Sequence, residues 1–98
     1  MDTENTMHIA SEAALSELNR SSRKTGSKAL RKALNAGNVR RVFLAMDADP
    51  GITEPIAAMC AERKVECLWG STMKLLGRVC GIDVGAAAAA IIDPDSNG

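Results

Sequence analysis

Aromatic side chains are almost missing: the chain has one Trp, one Phe and no Tyr in 98 residues. A sheet surface that stacks several RNA bases needs more aromatic faces than Phe43 and Trp69 supply, which excludes recognition of that kind. Trp69 reads instead as a packing residue at a strand end. Histidine is as scarce. His8 stands alone near the chain start, so no Ser–His–Asp set or Cys–His pair can be assembled around it. The three cysteines, Cys60, Cys67 and Cys80, contain no C-x-x-C pair. Their odd number and wide spacing argue against a disulfide framework or a zinc site and for three buried structural thiols in a reducing cytosol. Long apolar runs are lacking too. The longest, residues 86–92, falls far short of a bilayer span, and the acidic opening MDTENTMHIASEAAL has none of the features of a secretory signal. Gly77, Gly81 and Gly85 recur at a loose spacing, but no G-x-x-x-x-G-K-[ST] accompanies them, so no nucleotide site is expected.

The most informative absence is local. Net charge is zero over the whole chain, yet no acidic residue lies between Leu18 and Met46. Arg20, Arg23, Lys24, Lys28, Arg31, Lys32, Arg40 and Arg41 all fall there, eight of twelve basic residues. Like charges at that density repel one another unless solvent or a polyanion screens them. Averaging over the chain hides this segment. By composition alone it is either a solvated cationic face or a nucleic-acid contact.

What is present is enough for one domain. An apolar content of 46% is ordinary for a globular protein. A single core over residues 9–92 is expected, between a flexible start, 1–8, and a flexible tail, 93–98. Ile9, Ala13, Ala14, Leu15 and Leu18 predict an amphipathic helix over about 9–18. The polar stretch 19–25 is a basic connector with room for a short edge strand. Residues 26–37, GSKALRKALNAG, carry a helix over about 27–36. Leu30, Ala33 and Leu34 make its apolar stripe, Lys28 and Lys32 stack one turn apart, and Gly37 closes it in the left-handed conformation. The start of such a helix, with free N–H groups and lysines beside it, can receive a phosphate.

Residues 39–46, VRRVFLAM, predict a strand whose continuous apolar half suits cover on both faces. DADPG then breaks it. Thr53 is expected to cap the next helix, with Pro55 in its first turn, and that helix runs to about Arg63. A short strand over 65–69 follows. A helix capped by Ser71 ends near Cys80, and Gly81 terminates it. The alanine run at 86–92 favours helix by propensity. Its shortness, the preceding Gly85 and the abrupt Asp93-Pro94 close make it a strand crowded between helices. Strands alternating with helices in this order predict an α/β protein, a three-layer α-β-α sandwich around a small mixed, largely parallel four-stranded sheet. Asp47 and Asp49 form a D-x-D at a strand end. Further metal ligands are lacking nearby, and local turn bonds are the favoured role for both carboxylates.

Three stretches in order resemble the kink-turn-binding ribosomal protein superfamily (L-seven-Ae and L-thirty-e type, with its bacterial YbxF-like branch). They are TGSKALRKALNAGNVRRVFLAMDADP, MCAERKVECLWGS and MKLLGRVCGIDVGAAAAAII. The marks are Gly-x-x-x-x-x-Lys-Ala-Leu, Asp-x-Asp-Pro and Leu-Gly-x-x-x-Gly-Ile-x-Val; residues 54–62 also look somewhat like the eukaryotic small-subunit member. The resemblance implies an α-β-α sandwich without catalytic activity, cofactor or small-molecule substrate, acting in the cytoplasm and associated with the ribosome. Its implied partners are ribosomal RNA or another kink-turn RNA, and ribosomal proteins. It also implies an RNA-binding set. Gly26 and Ser27 admit close backbone approach, Lys28 faces the G·A bases, Lys32 reaches guanine acceptors, and Arg31 adds charge on the same helix. Arg78 takes a phosphate, and Ile82, Asp83 and Val84 pack on a flipped-out nucleotide. Ala29 departs from the pattern, standing where the family usually has Glu or Gln. Losing one polar base contact costs about 1–3 kcal/mol of discrimination. Two other readings stay open on the residues alone: a small-subunit ribosomal protein whose kink-turn surface is retired, and a protein-interaction module using the loop 82–84.

Overall fold

The computed structural model describes residues 9–93. The expectations for the start, 1–8, and for 94–98 lie outside the described residues. Four helices and four strands alternate as α1 (Glu12–Arg20), β1 (Arg23–Thr25), α2 (Ser27–Ala36), β2 (Val39–Ala45), α3 (Pro50–Arg63), β3 (Glu66–Ser71), α4 (Met73–Val79) and β4 (Ala88–Ile92). They build the expected three-layer sandwich, with the sheet in the order β1-β4-β2-β3.

The period-2 geometry of the two central strands makes the layers. Phe43 and Ala45 of β2, with Ala89 and Ile91 of β4, pack toward Ala14 and Leu18 of α1 and Leu76 of α4. Val42, Leu44, Ala88 and Ala90 point the other way, onto Leu30 and Leu34 of α2 and Ile56 and Cys60 of α3. Both strands are therefore buried on both faces, as the unbroken apolar sequence of β2 requires. The alanines of β4 are extended against their helix propensity. Ala88, Ala89 and Ala90 are fully buried, and a small side chain on each face lets the helices above and below close on the sheet. Packing outweighs the few tenths of a kcal/mol per residue that separate residue propensities.

The mixed sheet is as expected, but "largely parallel" fails at the level of pairing. Strands β1, β2 and β3 run the same way and only β2–β3 is a parallel pair; β4 enters between β1 and β2 antiparallel to both. The cause is the connection from β3 to β4. A parallel return needs a crossover that carries the chain back along the sheet. Helix α4 has seven residues, about 10 Å of rise, and the chain then doubles back along it. Ala86 N–H donates to the Met73 carbonyl at the start of α4 (2.9 Å), so β4 begins at the end of the sheet where β3 finished.

Several boundaries differ from expectation because Ser11, Asp49 and Thr72 cap the helices. Ile9 is outside α1. It bridges Trp69 in parallel, Ala10 N–H donates to the Trp69 carbonyl, and Ser11 caps the helix through Ala14 N–H (3.1 Å). The cap of α3 is Asp49, with Pro50 opening the helix, so Thr53 is a buried interior residue and Pro55 lies inside the helix. Thr72 caps α4, through Leu75 N–H (3.1 Å), and Ser71 instead completes β3. Cys60 and Cys80 are buried as expected, while Cys67 is half-buried. No helix among the described residues is long and apolar enough to cross a membrane.

Candidate nucleic-acid interface

The topology brings three loops to one end of the sheet. Gly26 N–H donates to the Ala88 carbonyl (3.3 Å), Ala45 N–H to the Ala87 carbonyl (2.9 Å) and Met46 N–H to the Ser71 carbonyl (2.8 Å). The start of α2 and the approach to β4 are thus neighbours, on opposite sides of the sheet end. The helix start at Gly26 is bonded to Ala88, the first residue of β4, into which the loop after α4 leads.

On the α2 side, Gly26 occupies the cap position at φ 94°, a conformation that glycine adopts without strain. No side chain caps this helix, whereas Ser11, Asp49 and Thr72 cap α1, α3 and α4. The first N–H groups of α2 therefore keep their capacity for an incoming acceptor. Among the described residues nothing lies within 4 Å of the place a Cβ on Gly26 would occupy, so the backbone there is open to approach. Thr25, Gly26, Ser27, Lys28, Ala29 and Lys32 line a concavity of about 750 Å³. Ala29 and Lys32 also line a second, of about 370 Å³, with Lys24 and Asn38. Arg31 is exposed one turn from Ser27 and lines neither.

On the α4 side, Arg78, Ile82, Asp83 and Val84 are brought together. With Asp47, Lys74 and Met73 they line a concavity of about 660 Å³. Ile82 is 36% and Val84 69% exposed, an apolar tip presented to solvent. The loop is held on α4 by Ile82 N–H to the Gly77 carbonyl and Gly81 N–H to the Arg78 carbonyl, both 3.0 Å. Gly77 matters most: a Cβ there would run into the Val84 carbonyl oxygen and lie 3.2 Å from Gly85 Cα. The glycine spacing seen in the sequence is thus a packing device that lays the loop flat on the helix.

The basic block divides in two. Arg41 donates to Glu17 (2.7 Å) and Glu66 (2.8 Å), and Arg40 lies 3.7 Å from Glu17, so acidic residues from α1 and β3 neutralise the entrance of β2. Arg23 and Arg20 are hydrogen-bonded within the protein. Lys24, Lys28, Arg31 and Lys32 have no ion-pair or hydrogen-bond partner among the described residues, and these four cluster around α2. Lys24, Lys74 and Asn38 were not singled out from the sequence. Strand alternation could have found Lys24: it pairs with Ala90, whose side chain faces α2, and so points to the groove beside that helix.

The two aspartates act on the backbone. Asp47 accepts from Met73 N–H (2.8 Å) and Asp49 from Gly51 N–H (2.9 Å). Among the cysteines, burial pushes the Cys80 thiol up, opposed by the nearby Arg23. The hydrogen bond with Cys60, then burial, pushes Cys67 up.

The profile of the ribosomal protein L7Ae/L30e/S12e/Gadd45 family matches residues 10–97. An RNA-binding protein of Bacillus pumilus is 43% identical over 67 residues, 68% of this chain and 82% of its own. One of Caldanaerobacter subterraneus is 43% identical over 68 residues, 69% and 83% of the two chains. The Giardia lamblia 15.5kD RNA binding protein superimposes with a TM-score of 0.77 at 26% identity, covering 98% of this chain and 87% of that one. A Bacillus halodurans protein of unknown function shares the fold, with a TM-score of 0.72 at 24% identity over 82% and 84% of the chains. As the sequence led us to expect, the chain belongs to the ribosomal protein L7Ae/L30e/S12e/Gadd45 family.

Proposed function

We propose that this protein binds a folded RNA of the kink-turn type, with the start of α2 against the paired bases and the loop 82–84 against an unstacked nucleotide. The observation that carries the reading is the juxtaposition at one sheet end. An uncapped, lysine-flanked helix start lies on one side, and an exposed Ile82–Val84 tip lies on the other. A straight duplex offers phosphates to the first half and no apolar surface to the second. A sharply bent RNA with a base turned outward offers both at once. The relatives named as RNA-binding proteins support the same class of ligand. Lys28 and Lys32 are the base-facing cations, while Gly26 and Ser27 admit the backbone. Arg31 and Arg78 reach phosphates, and Asp83 sits beside the loop tip.

Ala29 sets the grade of discrimination. Its methyl group lies where both α2 concavities meet, and it offers no acceptor to a guanine edge. Binding is therefore carried by shape and charge more than by base identity. The role is that of a binding protein of the cytoplasm working beside ribosomal RNA and ribosomal proteins, with no catalytic step. Titration of a kink-turn RNA and of a straight duplex of equal length, each at several salt concentrations, tests the proposal. Tighter binding of the kink-turn at every salt is expected. Equal, weak binding of both with a shallow salt dependence would remove the kink-turn reading.

A further inference from the structure

We infer that Arg23, one of the eight cations of the basic segment, is a positioning residue that holds the two halves of the proposed RNA surface in register. The inference rests on the proposed RNA reading for its consequence, but its geometry stands independently. Arg23 Nε and Nη2 donate to the Cys80 carbonyl at 3.2 and 3.0 Å. Its Nη1 donates to the carbonyls of Asn19 (3.0 Å) and Ser21 (3.1 Å). One planar guanidinium thus joins the end of α1 and the α1–β1 connector to the end of α4.

The joint sits where it controls both halves. Arg23 is three residues before Gly26, in a three-residue strand at the sheet edge whose one neighbour is β4. Cys80 is the C-terminal cap of α4, one residue before Gly81. The last carbonyls of a helix lack intrahelical donors, and a cation there is favoured by the helix dipole. Arg23 supplies both, and Asn19 Nδ2 takes the neighbouring Val79 carbonyl at 2.8 Å. Because the loop is hydrogen-bonded back onto α4 at Gly77, Arg78 and Met73, it travels with that helix as one body. Where the end of α4 is tied, the Ile82–Val84 tip is placed.

Strand alternation explains why adjacent cations have different fates. Arg23 pairs with Ile91, on the face covered by α1 and α4, while Lys24 pairs with Ala90, on the α2 face. The first is directed to the end of α4 and the second to the groove beside α2. Lysine cannot replace the arginine at this joint. A single ammonium on a flexible stem lacks the fork that reaches three carbonyls at once.

Two variants of the full chain, Arg23→Lys and Arg23→Ala, test this by amide hydrogen exchange of the free protein and by RNA titration. Both variants are expected to speed exchange at residues 81–86, and to leave the central amides of β2 unchanged. Kink-turn affinity should fall roughly tenfold in both, as expected when two halves of a site lose their relative placement. The slope of log affinity against log salt should stay that of the wild type. Unchanged exchange in the loop overturns the inference, and so does uniform acceleration that includes β2. A salt slope that falls by about one in Arg23→Ala would make the residue a direct phosphate contact and overturn it also. If the wild-type protein bound no kink-turn RNA, the functional reading would fail, and the exchange data would still decide the role of Arg23.

Discussion

Replacing Gly77 by alanine sets two known effects against each other. Within a helix, Gly→Ala normally stabilises by about 0.5–1 kcal/mol, because the unfolded chain loses freedom. Here the added methyl group meets backbone, with the Val84 carbonyl carbon at 3.1 Å and Gly85 Cα at 3.2 Å as well as the carbonyl oxygen. Backbone cannot rotate away as a side chain can, so the loop must lift from α4. Overpacking of this kind costs about 1–3 kcal/mol. The balance is a loss of roughly 0.5–2 kcal/mol, or several degrees in Tm, since 1 kcal/mol is worth about 4–8 °C in a domain of this size. Thermal and urea unfolding monitored by circular dichroism give the first number. Kink-turn titration gives the second, and affinity should drop because Ile82 and Val84 move with the lifted loop. A rise in Tm with unchanged affinity would refute the reasoning, since it would mean the loop is free to give way at no cost.

Three further outcomes are expected. Lys32→Ala should weaken kink-turn binding more than Arg20→Ala, since Lys32 lines both α2 concavities while Arg20 is bonded to Ser16 within its own helix; gel-shift titrations in the reverse order would indicate a diffuse electrostatic patch. Thr72→Ala should cost about 1 kcal/mol by removing the α4 cap, whereas Ser71→Ala should be neutral or stabilising, because the buried Ser71 hydroxyl has no partner among the described residues; urea midpoints of the two variants check the contrast, and equal losses would contradict it. In the native protein Cys80, pushed up by burial, should resist iodoacetamide at pH 8 and react once unfolded in urea. With the folded value above the unfolded one, thiol ionisation favours the unfolded chain, so this group's contribution to stability is lost as pH rises past about 8.5; mass-spectrometric labelling that is as fast native as unfolded would contradict its placement.

Much of the fold was legible because it is written in local chemistry. The stripe Leu30, Ala33 and Leu34, the apolar half of β2 and the punctuation at Gly37 and Asp47–Gly51 each act over a few residues, so periodicity and turn rules find them. The caps were less legible. Ser71 and Thr72, or Asp49 and Thr53, are chemically interchangeable at the helix start, and only the packing that buries Thr53 and extends β3 through Ser71 selects between them. The direction of β4 was out of reach for a related reason: it depends on how far a seven-residue helix carries the chain, a length measured against the sheet.

For the candidate site, the sequence by itself determined the charged segment, the helix start at Gly26–Ser27 with Lys28 and Lys32, and the small residues around 77–85. These follow from composition and spacing. Only the tertiary structure decided which of eight cations remain available. Arg40 and Arg41 are neutralised by Glu17 and Glu66, residues distant in sequence, and Arg23 turns inward to the end of α4 because its strand register places it on that face. Charge count is a property of the chain. Charge availability is a property of neighbours, and neighbours exist only once the sheet has paired.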